Sequence, residues 1–285
     1  MPHGGRYVTP CPYRNKQLGE AACFFILLAN GGSICRWPVH ARKGGLFSVS
    51  RCVIIRKTKR GNRISMLTIH LDASIRTACP AAALGCLTAR VHTKPSSPAL
   101  LALLAEEERR LSARTVAQIG ENPAVVATRN AYRAFGKDPH RYRNSAEAMM
   151  RRLAQGKGLY TINNVVEINN LLSLQSGYSM GTYDRERLRG ALCWRVGCEG
   201  ETYPGIGKDA INLQGLPVLC DAQGPFGNPS SDCTRAMITD TTQDLLFCLY
   251  AFDGPDRLPA LLARAGSLFA DYAQAADIET WIVAQ

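Results

Sequence analysis

After two short alternating stretches, Met66–Leu71 and Cys86–His92, the chain sorts its patterns by type. Helix-like apolar stripes come first, and strand-like runs with Gly-rich connections follow Asp184. Elements bury one face or stripe each and stack in layers, so segregation of this kind predicts an α+β domain. Ser97-Pro98 opens a first helix, with Leu100, Leu101, Leu103, Leu104 and Leu111 as its stripe. A second is expected over Pro123–Phe135, stopped by Gly136. Asn144 with Glu147 three residues on resembles a capping box for a third, Ser145–Ala154, ended by Gly156. Val165, Ile168, Leu171 and Leu172 form a fourth stripe. Ala191–Val196, Pro217–Asp221 and Cys233–Ile238 are predicted strands; Pro259–Gln274 is a late helix and Thr280–Ala284 a last strand.

Charge divides the chain elsewhere. The 285 residues carry a formal charge of +11, and residues 1–65 hold 12 Lys/Arg against the single acid Glu20. The remainder balances 22 bases with 22 acids, so whole-chain basicity says nothing about nucleic acid and a local patch must carry that case. Residues 1–65 are expected to be a basic extension, disordered or spurious, with 66–285 as one folded body that could begin at Met66. A basic arm, through Arg56-Lys57-Thr58-Lys59-Arg60, and a targeting segment are the alternatives. The apolar run Phe24–Ala29 is too short to cross a bilayer, which takes about 20 apolar residues, so no membrane partner is expected.

Eleven cysteines lie at scattered spacings without a Cys-x-x-Cys. Unpatterned thiols in a large domain suit a reducing cytoplasm and argue against structural zinc. Only His70, His92 and His140 lie in the body, without ligand spacing, so neither a metal nor a cofactor is expected.

The densest chemical signal is residues 125–157. Arg129, Arg133, Lys137, Arg141, Arg143, Arg151, Arg152 and Lys157 face only Asp138 and Glu147, with Tyr132, Phe135 and Tyr142 interleaved. Guanidinium groups grip phosphate with paired N–H donors and aromatic rings stack on unpaired bases, so the segment is a candidate tRNA surface. A solvated face with local ion pairs is the other reading. An Asn-rich run, Asn163, Asn164, Asn169 and Asn170, either caps and turns the chain or binds something. The loop Gly224-Pro225-Phe226-Gly227-Asn228-Pro229-Ser230-Ser231-Asp232 could point backbone N–H groups and hydroxyls at an oxyanion, or be a plain hairpin. Gly177-x-Ser179-x-Gly181 fits the nucleophile elbow by letter. That elbow needs a preceding strand and a later histidine, and none follows His140.

Read in order, Arg129-x-x-Tyr132-Arg133-x-x-Gly136-Lys137-Asp138-Pro139, Arg141-Tyr142-Arg143, Ser145-x-Glu147-Ala148, Gly158-Leu159-Tyr160-x-Ile162-Asn163, Asn170 and Tyr183-Asp184 form a series. Gly205-Ile206-Gly207-Lys208, Pro217-Val218-Leu219 and the Gly224 loop continue it. The series resembles the B3/B4 domain, the editing domain of the bacterial phenylalanyl-tRNA synthetase beta subunit, and most closely its free-standing relatives. It covers about residues 120–230 well. The resemblance implies helices packed on a mixed and antiparallel sheet, and hydrolysis in trans of tyrosine wrongly esterified to phenylalanine tRNA. It assigns oxyanion and carbonyl donors to Gly224, Gly227 and Ser231, and water or amino-group binding to Asn163 and Asp184. Arg129, Arg133, Lys137, Arg141 and Arg143 would hold tRNA or aminoacyl-tRNA. Two positions depart from the family: Gly181 stands where it has a pocket histidine, and Asn228-Pro229-Ser230 where a glutamate reads the tyrosine hydroxyl. A non-catalytic tRNA or amino-acid binding module is therefore the alternative.

Overall fold

A computed structural model describes residues 67–285, together with the backbone of two short strands, β1 (Phe24–Leu27) and β2 (Ser33–Arg36). The chain divides into two compact units, Met1–Thr58 and Lys59–Gln285. In the first, β1 and β2 pair antiparallel. The expected disorder or artefact of residues 1–65, and the basic run Arg56–Arg60, otherwise lie outside the described residues.

The second unit is α+β. Its elements run β3 (Ile69–Leu71), α1 (Ala73–Ala78), β4 (Ala83–Arg90), α2 (Pro98–Ser112), α3 (Val116–Gly120), α4 (Pro123–Ala134), α5 (Ser145–Ala154) and α6 (Asn164–Ser176). Then follow β5 (Met180–Asp184), β6 (Leu192–Val196), β7 (Thr202–Pro204), β8 (Ala210–Asn212), β9 (Pro217–Asp221) and β10 (Gly224–Gly227). β11 (Asp244–Ala251), α7 (Leu258–Ala273) and β12 (Ala276–Val283) close the chain. One four-stranded sheet is antiparallel in the order β12-β4-β11-β5; a second is mixed, β10-β9-β6-β3, with β3 parallel to β6; and β7 and β8 form a separate antiparallel pair.

The antiparallel sheet is the middle layer. Along β11, Leu245, Phe247, Leu249 and Ala251 pack with the helices, while Leu246, Cys248 and Tyr250 pack toward the mixed sheet with Trp194 and Ile69. A strand buried on both faces reads as a continuous apolar run, without the alternation of a half-solvated strand. Residues 244–251 therefore carry no alternating signal, and the strand expected at Cys233–Ile238 does not form. Thr234–Ala236 there is a single 3-10 turn, and β11 begins at Asp244.

Helix starts follow local chemistry. Ser97, Asn122, Asn144 and Asn163 each accept a backbone N–H from the first turn of α2, α4, α5 and α6 respectively. At α5 the expected capping box is only half made: Asn144 Oδ1 accepts from Glu147 N at 2.9 Å, while the Glu147 carboxylate turns to arginines instead. The Asn-rich run is largely structural. Asn164, fully buried, donates to the carbonyls of His92 and Tyr272 and accepts from Lys94 N, tying α6 to α7 and the end of β4. Gly177, at φ +81°, ends α6 and hands the chain to β5. Helix followed by strand is the reverse of a nucleophile elbow, and Ser179 is buried with its hydroxyl bonded to Asn144.

Candidate nucleic-acid interface

α4 stops at Gly136, and the turn that follows is fixed by its own groups. Asp138 Oδ1 accepts from His140 N at 2.9 Å, and Tyr142 N donates to the Asp138 carbonyl. Lys137 is buried: its Nζ donates to the Gln214 carbonyl and sits 3.9 Å above the Tyr142 ring. Burial, and then the charge of Arg141, hold its ammonium below the usual lysine range. Gly215, at φ +72°, approaches so closely that a Cβ there would stand 2.9 Å from the Phe135 carbonyl oxygen. The 136–143 turn is therefore clamped against residues 212–216.

That clamp forms one wall of an open cleft of about 340 Å³. Arg141, Tyr142 and Arg143 line it from the turn, Lys208 and Asn212 from the β7–β8 region, and Ser230 and Ser231 from the loop after β10. Arg141 and Lys208 are exposed, and neither makes an ion pair among the described residues. Three cations around a concave surface with hydroxyls at its edge suit a phosphate-bearing ligand. Its lining contains no carboxylate and no imidazole.

The serine wall is built from behind. Asn228 Oδ1 accepts the backbone N–H of Ser230 at 2.7 Å and of Ser231 at 3.1 Å. Those two backbone donors are thus taken. The Asn228 amide also donates to the Ser231 carbonyl at 2.9 Å, as does Tyr203 Oη at 2.6 Å. Tyr132 Oη pairs with Ser230 Oγ at 2.7 Å, and Ser145 N donates to the Pro229 carbonyl, joining the loop to the start of α5.

Beneath the loop lies a buried hydroxyl cluster. Tyr183 Oη donates to Asp232 Oδ1 at 2.8 Å and lies 2.8 Å from Tyr250 Oη. Asp232 keeps some exposed surface, but its carboxyl is enclosed, and desolvation pushes it up to about 7 against the pull of Tyr183 and Asn228 N. Burial, then the nearby Asp232 carboxyl, drives both tyrosines well above the ordinary range. A Cβ on Gly181 would meet Tyr183 Oη at 2.1 Å and one on Gly227 at 2.2 Å. The Tyr183 hydroxyl thus fills the space that a side chain at 181 would need, so a histidine there and this tyrosine exclude each other.

Other expected site residues serve the fold. Arg129 binds Glu147 through two N–H groups at 2.6 and 3.0 Å and the Gly120 carbonyl at 3.3 Å. Arg143 and Arg151 also pair with Glu147, which is 1% exposed. A guanidinium held by an interior carboxylate has its donors occupied, so Arg129 is tied into the interior. Arg133 is exposed in the last turn of α4, bonded to Asn130, and does not line the cleft. Asn163 caps α6. Asp184 accepts from Glu186 N, Thr242 Oγ1 and Arg187 at the end of β5. Gly224, at φ +115°, turns β9 into β10 with its carbonyl on Arg235. The cleft therefore gathers Arg141, Arg143 and Ser231 of the expected set, and adds Lys208, Asn212, Tyr142 and Ser230. Lys208 was visible only as a motif letter; no local pattern brings it to Arg141.

Among the described residues no group of His, Cys, Asp or Glu is arranged to hold a metal, and no helix is long and apolar enough to cross a membrane.

Fold and site together define an α+β domain with a cationic cleft between its helical turn and a serine loop. Residues 127–258 match the family model of the B3/4 domain, and this span contains every cleft residue and the Tyr183–Asp232 cluster. The body is thus B3/4-like over this span. Among solved structures, the chain is similar to an N-terminal fragment of the phenylalanyl-tRNA synthetase beta subunit from Pyrococcus horikoshii. The TM-score is 0.43 at 10% identity, covering 80% of this chain and 57% of that one, so the chain spans little more than half the fragment's length. No curated protein matches the chain.

Proposed function

We propose that this protein is a tRNA-directed B3/4 module that holds the phosphate backbone of tRNA in the Arg141–Arg143–Lys208 cleft, and that it binds rather than hydrolyses. The observation that carries the binding half is the convergence of three cations from two separate segments on a concave surface edged by Ser230 and Ser231. The B3/4 match supplies the tRNA half, through the family's resemblance to an editing domain. Against hydrolysis stands the chemistry of the lining. Ester cleavage needs a positioned water and donors aimed at the oxyanion. The Ser230 and Ser231 N–H groups are occupied by Asn228, and Asn163 and Asp184 cap helical turns. Gly227 faces Tyr183.

Trans-acting deacylation of mischarged aminoacyl-tRNA remains the second reading, because an activated ester makes small demands and the Ser231 hydroxyl borders the cleft. A panel of mischarged tRNAs separates the two. The binding reading expects saturable, salt-dependent binding of tRNA with release of amino acid no faster than in buffer. Turnover that is lost in Ser231→Ala would establish the deacylase instead.

A further inference from the structure

The turn between α5 and α6 exposes an aromatic ring that the cleft does not use. Tyr160 is 76% exposed and Ile162 62% exposed, in a described body where most large apolar side chains are covered. One face of the Tyr160 ring is backed by the Arg152 guanidinium, 5.0 Å from its centroid. The turn is also braced. Arg152 Nε donates to the Gly158 carbonyl at 2.7 Å, Lys157 N returns to the Arg152 carbonyl, and Ile162 N donates to the buried Glu167 carboxylate at 2.7 Å. Residues 148–166 contain no acid, and neither Arg152 nor Lys157 makes an ion pair among the described residues.

A flat ring with one backed face, held on a braced turn among cations, is a stacking platform for a base, since every base offers a π face and brings a phosphate with it. The position fits. Arg143, in the cleft, lies just before α5, and Arg152 lies in its last turn. Nine residues at about 1.5 Å each separate them by roughly 13 Å. A stacked strand advancing about 3.4 Å per nucleotide covers that in about four nucleotides. We infer that Tyr160 stacks an unpaired nucleotide of the same RNA whose backbone lies in the cleft. This rests on the proposed RNA-binding reading and adds to it a single-stranded segment of defined length.

The test uses the full chain and an RNA hairpin with a four-nucleotide 3′ single strand carrying 2-aminopurine, whose fluorescence falls when it stacks. Wild type and Tyr160→Phe should both quench the probe. Tyr160→Ala should lose the quench and bind about tenfold more weakly, while a blunt hairpin is bound equally by all three. Tyr160 is exposed, so its truncation leaves folding intact. Quenching that persists in Tyr160→Ala would overturn the platform and leave the cleft reading standing. No binding of any RNA by wild type would sink both. Tyr160-dependent binding to vesicles of phosphatidylserine and phosphatidylcholine, with no quench of the RNA probe, would reassign the exposed turn to a membrane surface.

Discussion

Two arginine groups come from the same short stretch of sequence and end in opposite situations. Arg129 and Arg151 converge on Glu147, a carboxylate 1% exposed, and become part of the interior. Arg141, with Lys208 brought in from a distant loop, faces an open cleft with no acid in its lining. Arg143 touches both, pairing with Glu147 at 3.3 Å while lining the cleft. A basic run is thus not one surface. A single buried acid decides which cations are structural and which are left to meet a ligand, because burying a guanidinium demands a partner and exposing one does not.

The comparison breaks hardest at Glu147. Glu147→Ala leaves three guanidinium groups without their carboxylate, two of them largely covered, and should cost about 3–5 kcal/mol of stability in urea unfolding. A cost near that of a surface substitution would mean that the hub and the cleft do not differ as described. Gly181→His comes next. Its Cβ alone collides with the hydroxyl and the ring of Tyr183, so a loss of about 1–3 kcal/mol is expected, and Tyr183→Phe, which keeps the ring, should not restore it. An unchanged unfolding midpoint would show that the space is free. Arg141→Ala and Lys208→Ala should each shift stability by no more than about 0.5 kcal/mol, as exposed charges without pairs.

A separate effect concerns pH. The Asp232 carboxyl titrates near 7 in the folded protein, above the roughly 3.9 of an unfolded chain. The unfolded state therefore releases its proton first, and this group's contribution to stability falls as pH rises from about 4 to about 7, then levels. Asp232→Asn should flatten that part of the pH–stability curve measured by urea midpoints; an identical slope in both proteins would contradict the burial argument.

Much of the helical half was legible because its signals are local. Ser97, Asn144 and Gly136 mark helix ends by their own backbone chemistry, and α5 begins at Ser145 and ends at Ala154 as its cap and stripe predict. β9 likewise spans Pro217–Asp221 as expected. β11 was missed because burial on both faces erases alternation, and β5 because its Met180-Gly181-Thr182 start has no strand signature. In the site, Arg141, Arg143 and Ser231 were readable as residue types suited to phosphate, and the cleft gathers them. What sequence spacing could have shown is the hub: Arg143 and Arg151 lie four residues either side of Glu147, a local pattern that competes with RNA binding. What it could not show is Lys208 beside Arg141, or Tyr183 against Gly227, since both are long-range contacts made only by the folded sheet.

The central claim is that the cleft, rather than the basic segment as a whole, meets tRNA. It is tested most directly by the salt dependence of tRNA binding in Arg141→Ala plus Lys208→Ala, set against Arg109→Ala plus Arg114→Ala, which removes the same charge from the exposed side and end of α2. The cleft variant should bind at least tenfold more weakly, with the slope of log affinity against log salt reduced by about two, and the α2 variant should match wild type. Equal losses in both variants, or none in the cleft variant, would contradict it.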